Sequence, residues 1–75
     1  MNYDKELDAR GLACPLPIIK TKKSLQSMSP GQVLKVVSTD AGSVKDMEAF
    51  AAQTGDALLG SQAEGNDFVF FLRKR

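Results

Sequence analysis

Among residue types that carry nucleophilic or redox chemistry, this chain of 75 residues has one cysteine and no histidine. The cysteine is Cys14, in the run Gly11-Leu12-Ala13-Cys14-Pro15-Leu16-Pro17. A single thiol closes no intramolecular disulfide. Without an imidazole there is no Cys/His dyad. One sulfur and no imidazole do not make a zinc site, so no metal is expected. Two uses remain: a thiol presented to solvent or to another protein, or a small buried hydrophobe without chemistry.

The prolines favour the presented thiol. Proline suits the first helical position, where the missing N–H has no intrahelical partner anyway. Pro17 still falls in the first turn and is tolerated for the same reason. Gly11 permits a tight turn just before. A helix is therefore predicted to begin at Cys14 or Pro15, with the prolines stiffening the turn and holding the sulfur outward. There the macrodipole favours an anion, and thiols at such positions commonly have a lowered pKa. Pro15 and Pro17 delete two of the four free amides, so the expected lowering is modest. It would be carried by the Leu16 and Ile18 N–H groups, the dipole and Arg10.

The elements that must position this thiol follow from hydrophobic period. Tyr3, Lys5 and Leu7 alternate with Asp4, Glu6 and Asp8 as a short strand. Ile18, Thr21, Leu25 and Met28 recur at helical spacing, and Ser29-Pro30-Gly31 ends that helix. Val33 to Ser38 is nearly continuous in apolar character and rich in β-branched residues, as expected of a central strand. Ser43 and Asp46 read as a variant capping box opening a second helix with Val44, Met47, Phe50, Ala51 and Thr54 on one face. Gly55 suits its C′ position. Ala57-Leu58-Leu59 opens a third strand, interrupted at Gly60. Glu64-Gly65-Asn66-Asp67 is a hairpin turn before the last strand, Phe68 to Leu72. Phe50, Met28 and Met47 are assigned to the core.

The order β-α-β-α-β-β, with right-handed crossovers, gives an α/β (α+β) two-layer sandwich: a mixed four-stranded sheet with both helices on one face. Residues 1–75 form one domain. In open α/β sheets the working groups gather beyond the carboxyl ends of parallel strands. That end carries Asp8, Arg10, Gly11 and Cys14 from one loop and Asp40, Gly42 and Ser43 from the other. Arg10 is expected either to pair with Asp8 or Asp40 or to steady the Cys14 sulfur. Asp40 is expected to bond loop amides near the second helix. Lys20, Lys22 and Lys23 make one side of the first helix basic, as a solvated face or as a docking surface for an acidic partner. Phe71 would leave an apolar patch on the uncovered sheet face if it points away from the helices.

With ten Lys and Arg against nine Asp and Glu, the formal net charge is +1, which argues against direct nucleic-acid binding. No apolar run approaches a membrane span. The N-terminal Met1-Asn2-Tyr3-Asp4 lacks a signal-peptide core, and an unpaired cysteine suits a reducing compartment, so a cytoplasmic location is expected. The chain lacks a general base, a cofactor motif and a phosphate loop. Independent catalysis and bound cofactors are therefore not expected.

The run Leu7-Asp8-Ala9-Arg10-Gly11-Leu12-Ala13-Cys14-Pro15-Leu16-Pro17 resembles the signature of the TusA/SirA/YedF sulfur-carrier family, a Cys-Pro-x-Pro at the start of helix 1 preceded by Asp-x-Arg-Gly. The similarity extends through Pro30-Gly31, Thr39-Asp40, Gly55 and the final aromatic strand. It implies strand 4 lying between strands 2 and 3, antiparallel to both. It further implies a Cys14 that carries sulfane sulfur as a persulfide. The implied partners are a cysteine desulfurase or rhodanese-type donor and an acceptor protein, with the carrier a monomer that can form a Cys14-linked dimer on oxidation. Arg10, Gly11, Pro15, Pro17 and Asp40 would support the thiol. Neutral Leu16 stands where the tRNA-thiolation member has Glu. The pathway stays open among tRNA thiolation, cofactor sulfuration and sulfur or selenium metabolism. The competing reading is a protein- or RNA-docking regulatory module with Cys14 as a redox-sensitive thiol.

Overall fold

The structure, a computed structural model, describes residues 2–75; Met1 lies outside the described residues. The elements run β1 (Lys5–Ala9), α1 (Leu16–Gln26), β2 (Val33–Ser38), α2 (Ser43–Thr54), β3 (Ala57–Glu64) and β4 (Asp67–Arg73). The sheet order is β1-β2-β4-β3. β1 and β2 are parallel, while β4 is antiparallel to both β2 and β3. Both helices pack on one face and against each other. The two-layer sandwich expected from the sequence is the observed fold.

β2 shows why the layers form. Leu34, Val36 and Ser38 are buried beneath the helices, while Val33, Lys35 and Val37 point to the open face and are half-buried. The period of two in side-chain direction thus divides one apolar run between two environments. Leu34 and Val36 join Ala9, Leu25, Met28, Met47, Phe50, Phe70 and Leu72 in a single core. Met28 and Met47 pack there as expected. Thr21, buried in the middle of α1, donates its hydroxyl to the Pro17 carbonyl at 2.7 Å, so it is satisfied locally.

Three details differ from the sequence expectations. β1 begins at Lys5, not Tyr3; the Tyr3 ring instead lies 6.3 Å from that of Phe71 on the open face. Phe71 does face away from the helices, but it is half-buried and not bare, with the Tyr3 ring near it and Lys35 Nζ 5.2 Å from the Tyr3 ring centroid. β3 is not interrupted at Gly60: the register slips between Leu58 and Gly60 as a bulge, and the strand continues to Glu64. The hairpin turn follows at Gly65, whose φ of 62° is in the left-handed region that glycine adopts without strain. Among the described residues, no helix is long and apolar enough to cross a membrane.

Candidate functional site

The parallel pair β1–β2 ends at one edge of the sandwich, and the loops that leave it, residues 10–15 and 39–42, lie side by side. Gly11 turns the first loop with φ 80° and donates its N–H to Thr39 Oγ1 at 2.8 Å. The next tie is Cys14 N–H to Asp40 Oδ2 at 3.0 Å. Asp40 Oδ1 accepts the Gly42 N–H at 3.1 Å, and the Asp40 carbonyl accepts the Ser43 hydroxyl at 2.6 Å. Asp40 therefore bonds loop amides near α2, as expected, and also fixes the backbone of the cysteine across the gap. The two loops are one hydrogen-bonded unit.

Cys14 is exposed. It lies in the turn that precedes α1 rather than inside the helix, which starts at Leu16 with Pro15 as its N-cap. The prolines explain the late start. Pro15 and Pro17 have no N–H, and the Leu16 N–H is already given to the Ala13 carbonyl at 2.9 Å. The first α-helical bond is Ile19 N–H to Pro15 C=O, at 3.1 Å. Pro17 is buried on the core side, and the Cys14–Pro15 peptide is cis.

Electrostatics at the sulfur reverse the sequence expectation. Cys14 Sγ donates to Asp46 Oδ2 at 3.0 Å. The thiol is pushed above its ordinary range, chiefly by this bond to a carboxylate. Partial desolvation and the negative charges of Asp46 and Asp40 act in the same direction. The α1 dipole does not lower it, because the cysteine sits before the helix and most of the amides that would cradle an anion are absent or spent. Arg10 is also elsewhere. It makes a paired contact with Asp8, Nε to Oδ1 at 3.0 Å and Nη2 to Oδ2 at 3.2 Å, on the open side of the sheet. That contact lowers the Asp8 carboxyl and raises the guanidinium. Of the two roles open to Arg10, the pairing with Asp8 is observed and the contact with sulfur is not.

Asp46 is the residue that the sequence hid. Its place three residues after Ser43 fits a capping box, yet α2 has Gly42 as N-cap and no side-chain cap bond. The Asp46 N–H is held by the Gly42 carbonyl at 3.3 Å, and its carboxylate turns to the thiol instead. The only sequence signal was an acid on the first turn of α2, at the same sheet end as Cys14.

From the thiol a groove of about 210 Å³ runs between the helices, lined by Cys14, Pro15, Ile18, Asp46, Ala49, Phe50 and Gln53. A second hollow of about 450 Å³ shares Phe50 and Gln53 with it and is lined by the cations Lys22, Lys74 and Arg75 and by Asp56. Lys20, Lys22 and Lys23 are all exposed, and only Lys22 of the three lines this depression. Among the described residues, no group of three or more His, Cys, Asp or Glu side chains could hold a metal ion.

The family model of the sulfurtransferase TusA matches residues 5–74. The chain belongs to this family. A TusA sulfur carrier protein of Allochromatium vinosum is 58% identical over 73 residues, covering 97% of this chain and 96% of that protein. The YrkI protein of Bacillus subtilis is 43% identical over 74 residues and 99% of each chain. A SirA-like protein from Desulfitobacterium hafniense, known as a crystal structure, superposes with a TM-score of 0.81 over 93% of this chain at 22% identity, which speaks for the shared fold. The TusA match spans both loops, so the thiol, its carboxylate partner and the groove all lie within the family domain.

Proposed function

We propose that this protein is a sulfur carrier. Cys14 accepts a sulfane sulfur from a donor protein, holds it as a persulfide, and yields it to the thiol of an acceptor. The observation that carries this reading is the setting of the chain's one thiol. It is exposed, backbone-anchored by Asp40, and without a second cysteine or a histidine in the sequence to attack its load. A persulfide formed here has no internal route to a disulfide. It waits for a partner, as a relay requires. Membership of the TusA family supports the same reading.

The surroundings suit protein-to-protein exchange. Leu16 and Ile19, one helical turn apart at the start of the helix that follows Cys14, are 45% and 44% exposed and offer apolar surface to a partner. The basic hollow at Lys22, Lys74 and Arg75 would attract an acidic margin on a donor or acceptor, with Lys20 and Lys23 extending the positive field. Arg10 belongs to the other face and has no part in the hand-over. The carrier acts as a monomer in a reducing compartment such as the cytoplasm, with a Cys14-linked dimer as its oxidised form.

Intact-mass analysis after incubation with a cysteine desulfurase and cysteine tests the reading. The expected result is a gain of one sulfur on Cys14, lost on reduction and absent in Cys14→Ser, whose thermal melt stays close to that of the parent. A Cys14→Ser protein that still takes up sulfur would overturn it. So would a parent chain that gains none from several desulfurase and rhodanese donors; the docking-module reading would then be the better one.

A further inference from the structure

Asp46 makes one side-chain hydrogen bond among the described residues, and its donor is the Cys14 thiol. Among the described residues the single ion pair within 4.0 Å is Arg10 with Asp8, so the Asp46 carboxylate has no cation in direct contact. It is half-buried, in a groove whose other walls are largely apolar: Pro15, Ile18, Ala49 and Phe50. The charged groups that bear on the sulfur are Asp46 from α2 and Asp40 from the β2–α2 loop, both acidic. This is the reverse of the electropositive setting that activates nucleophilic cysteines.

We propose that Asp46 is a positioning residue that stabilises the unloaded, protonated Cys14 against the loaded one, and so biases the carrier toward giving its sulfur away. The proposal rests on the carrier reading of Cys14. Loading is the attack of Cys14 Sγ on the terminal sulfur of a donor persulfide. The bond between the donor's own sulfur and that terminal sulfur breaks, and its electron pair stays on the donor sulfur. The proton lost by Cys14 ends on the donor thiol, so a thiol and a persulfide give a persulfide and a thiol. After loading, Sγ carries sulfur in place of hydrogen. The bond to Asp46 Oδ2 is gone, and a terminal sulfur that ionises faces two carboxylates. Discharge to an acceptor thiol runs the same exchange backwards at Cys14: Sγ leaves with the electron pair, takes up a proton and recovers its bond to Asp46. The Sγ–Asp46 bond thus exists in one of the two states only, and that asymmetry favours discharge to the same extent that it opposes loading.

Two measurements on the full chain test this, using Asp46→Asn and, as the conservative control, Asp46→Glu. The first is the pH profile of iodoacetamide alkylation of unloaded Cys14. Asp46→Asn should lower the midpoint by about one pH unit, which is about tenfold more thiolate at neutral pH; Asp46→Glu should stay nearer the parent. The second is the loaded fraction by intact mass at a fixed ratio of glutathione persulfide to glutathione. Asp46→Asn should be the more fully loaded, by a factor of several. Slower alkylation in Asp46→Asn would make Asp46 an activating proton acceptor and overturn the proposal. So would an unchanged midpoint or an unchanged loaded fraction. If the parent takes up no sulfur the carrier reading falls and the directional claim with it, while the alkylation shift shows separately whether the thiol–carboxylate bond exists. Should Asp46→Asn melt early, Asp46→Ser replaces it with the same expected signs.

Discussion

The loops at residues 10–15 and 39–42 sit side by side and divide the work unequally. The first carries the thiol and is built from residues with restricted or unusual backbones: Gly11 at positive φ, then Pro15 and Pro17 around a helix that starts late. Its own bonds are local, such as Leu12 N–H to the Ala9 carbonyl and Leu16 N–H to the Ala13 carbonyl. The second has no nucleophile, yet Thr39 and Asp40 hold the first loop's amides, and Asp46, on the helix that follows, holds the sulfur itself. The two loops together set where the thiol is, and α2, through Asp46, bears on its protonation.

The comparison breaks most visibly if its common foundation is removed. Phe50 is 8% exposed and lies under the groove that both helices share. Phe50→Ala should cost about 3–5 kcal/mol in urea or thermal unfolding, a large part of the stability of so small a domain. A melt like the parent's would mean that the groove floor is not core. Asp40→Ala sharpens the division between the loops. It removes acceptors for the Cys14 and Gly42 amides and should cost about 1–2 kcal/mol, with the amide-exchange rate of Cys14 rising while the β2–β4 ladder stays protected. Unchanged exchange at Cys14 would show that the first loop holds itself. Arg10→Ala is the smallest. Its pair with Asp8 is exposed at both ends, so neither the thermal melt nor the alkylation rate of Cys14 should change measurably. A changed rate would restore Arg10 to the site.

How legible each loop is in the sequence follows from what kind of residue it uses. A lone cysteine beside Gly11, Pro15 and Pro17 announces itself because few backbone conformations accept those residues, and strand order places the loop at the working end of the sheet. β2 and β4 are legible too, because apolar β-branched and aromatic runs have few other uses in a chain this short. Asp46 is not. An acid in the first turn of a helix is ordinary, and the capping-box spacing to Ser43 supplies a local partner. Only the tertiary approach of α2 to the β1–α1 loop redirects its carboxylate. The sign of the thiol's acidity was lost with it: reasoning along the chain sees the dipole of α1 and not the carboxylates brought in from thirty residues on. Arg10 illustrates the same limit at short range. From Ala9 onward the strand's alternation puts it on the open face with Asp8, and the loop's proximity in sequence to Cys14 counts for nothing.

The bulge at Leu58–Gly60 has a consequence beyond register. β3 is an outer strand, eight residues long and fully exposed from Ser61 to Glu64, and its outer backbone edge is free to accept another chain. A flat strand of that length would be a template for sheet-to-sheet polymerisation. The extra residue, Leu59, bends and twists the strand midway, so a neighbouring edge can follow it for only a few residues before losing step. The bulge thereby works against extended strand-to-strand association along that side of the sheet.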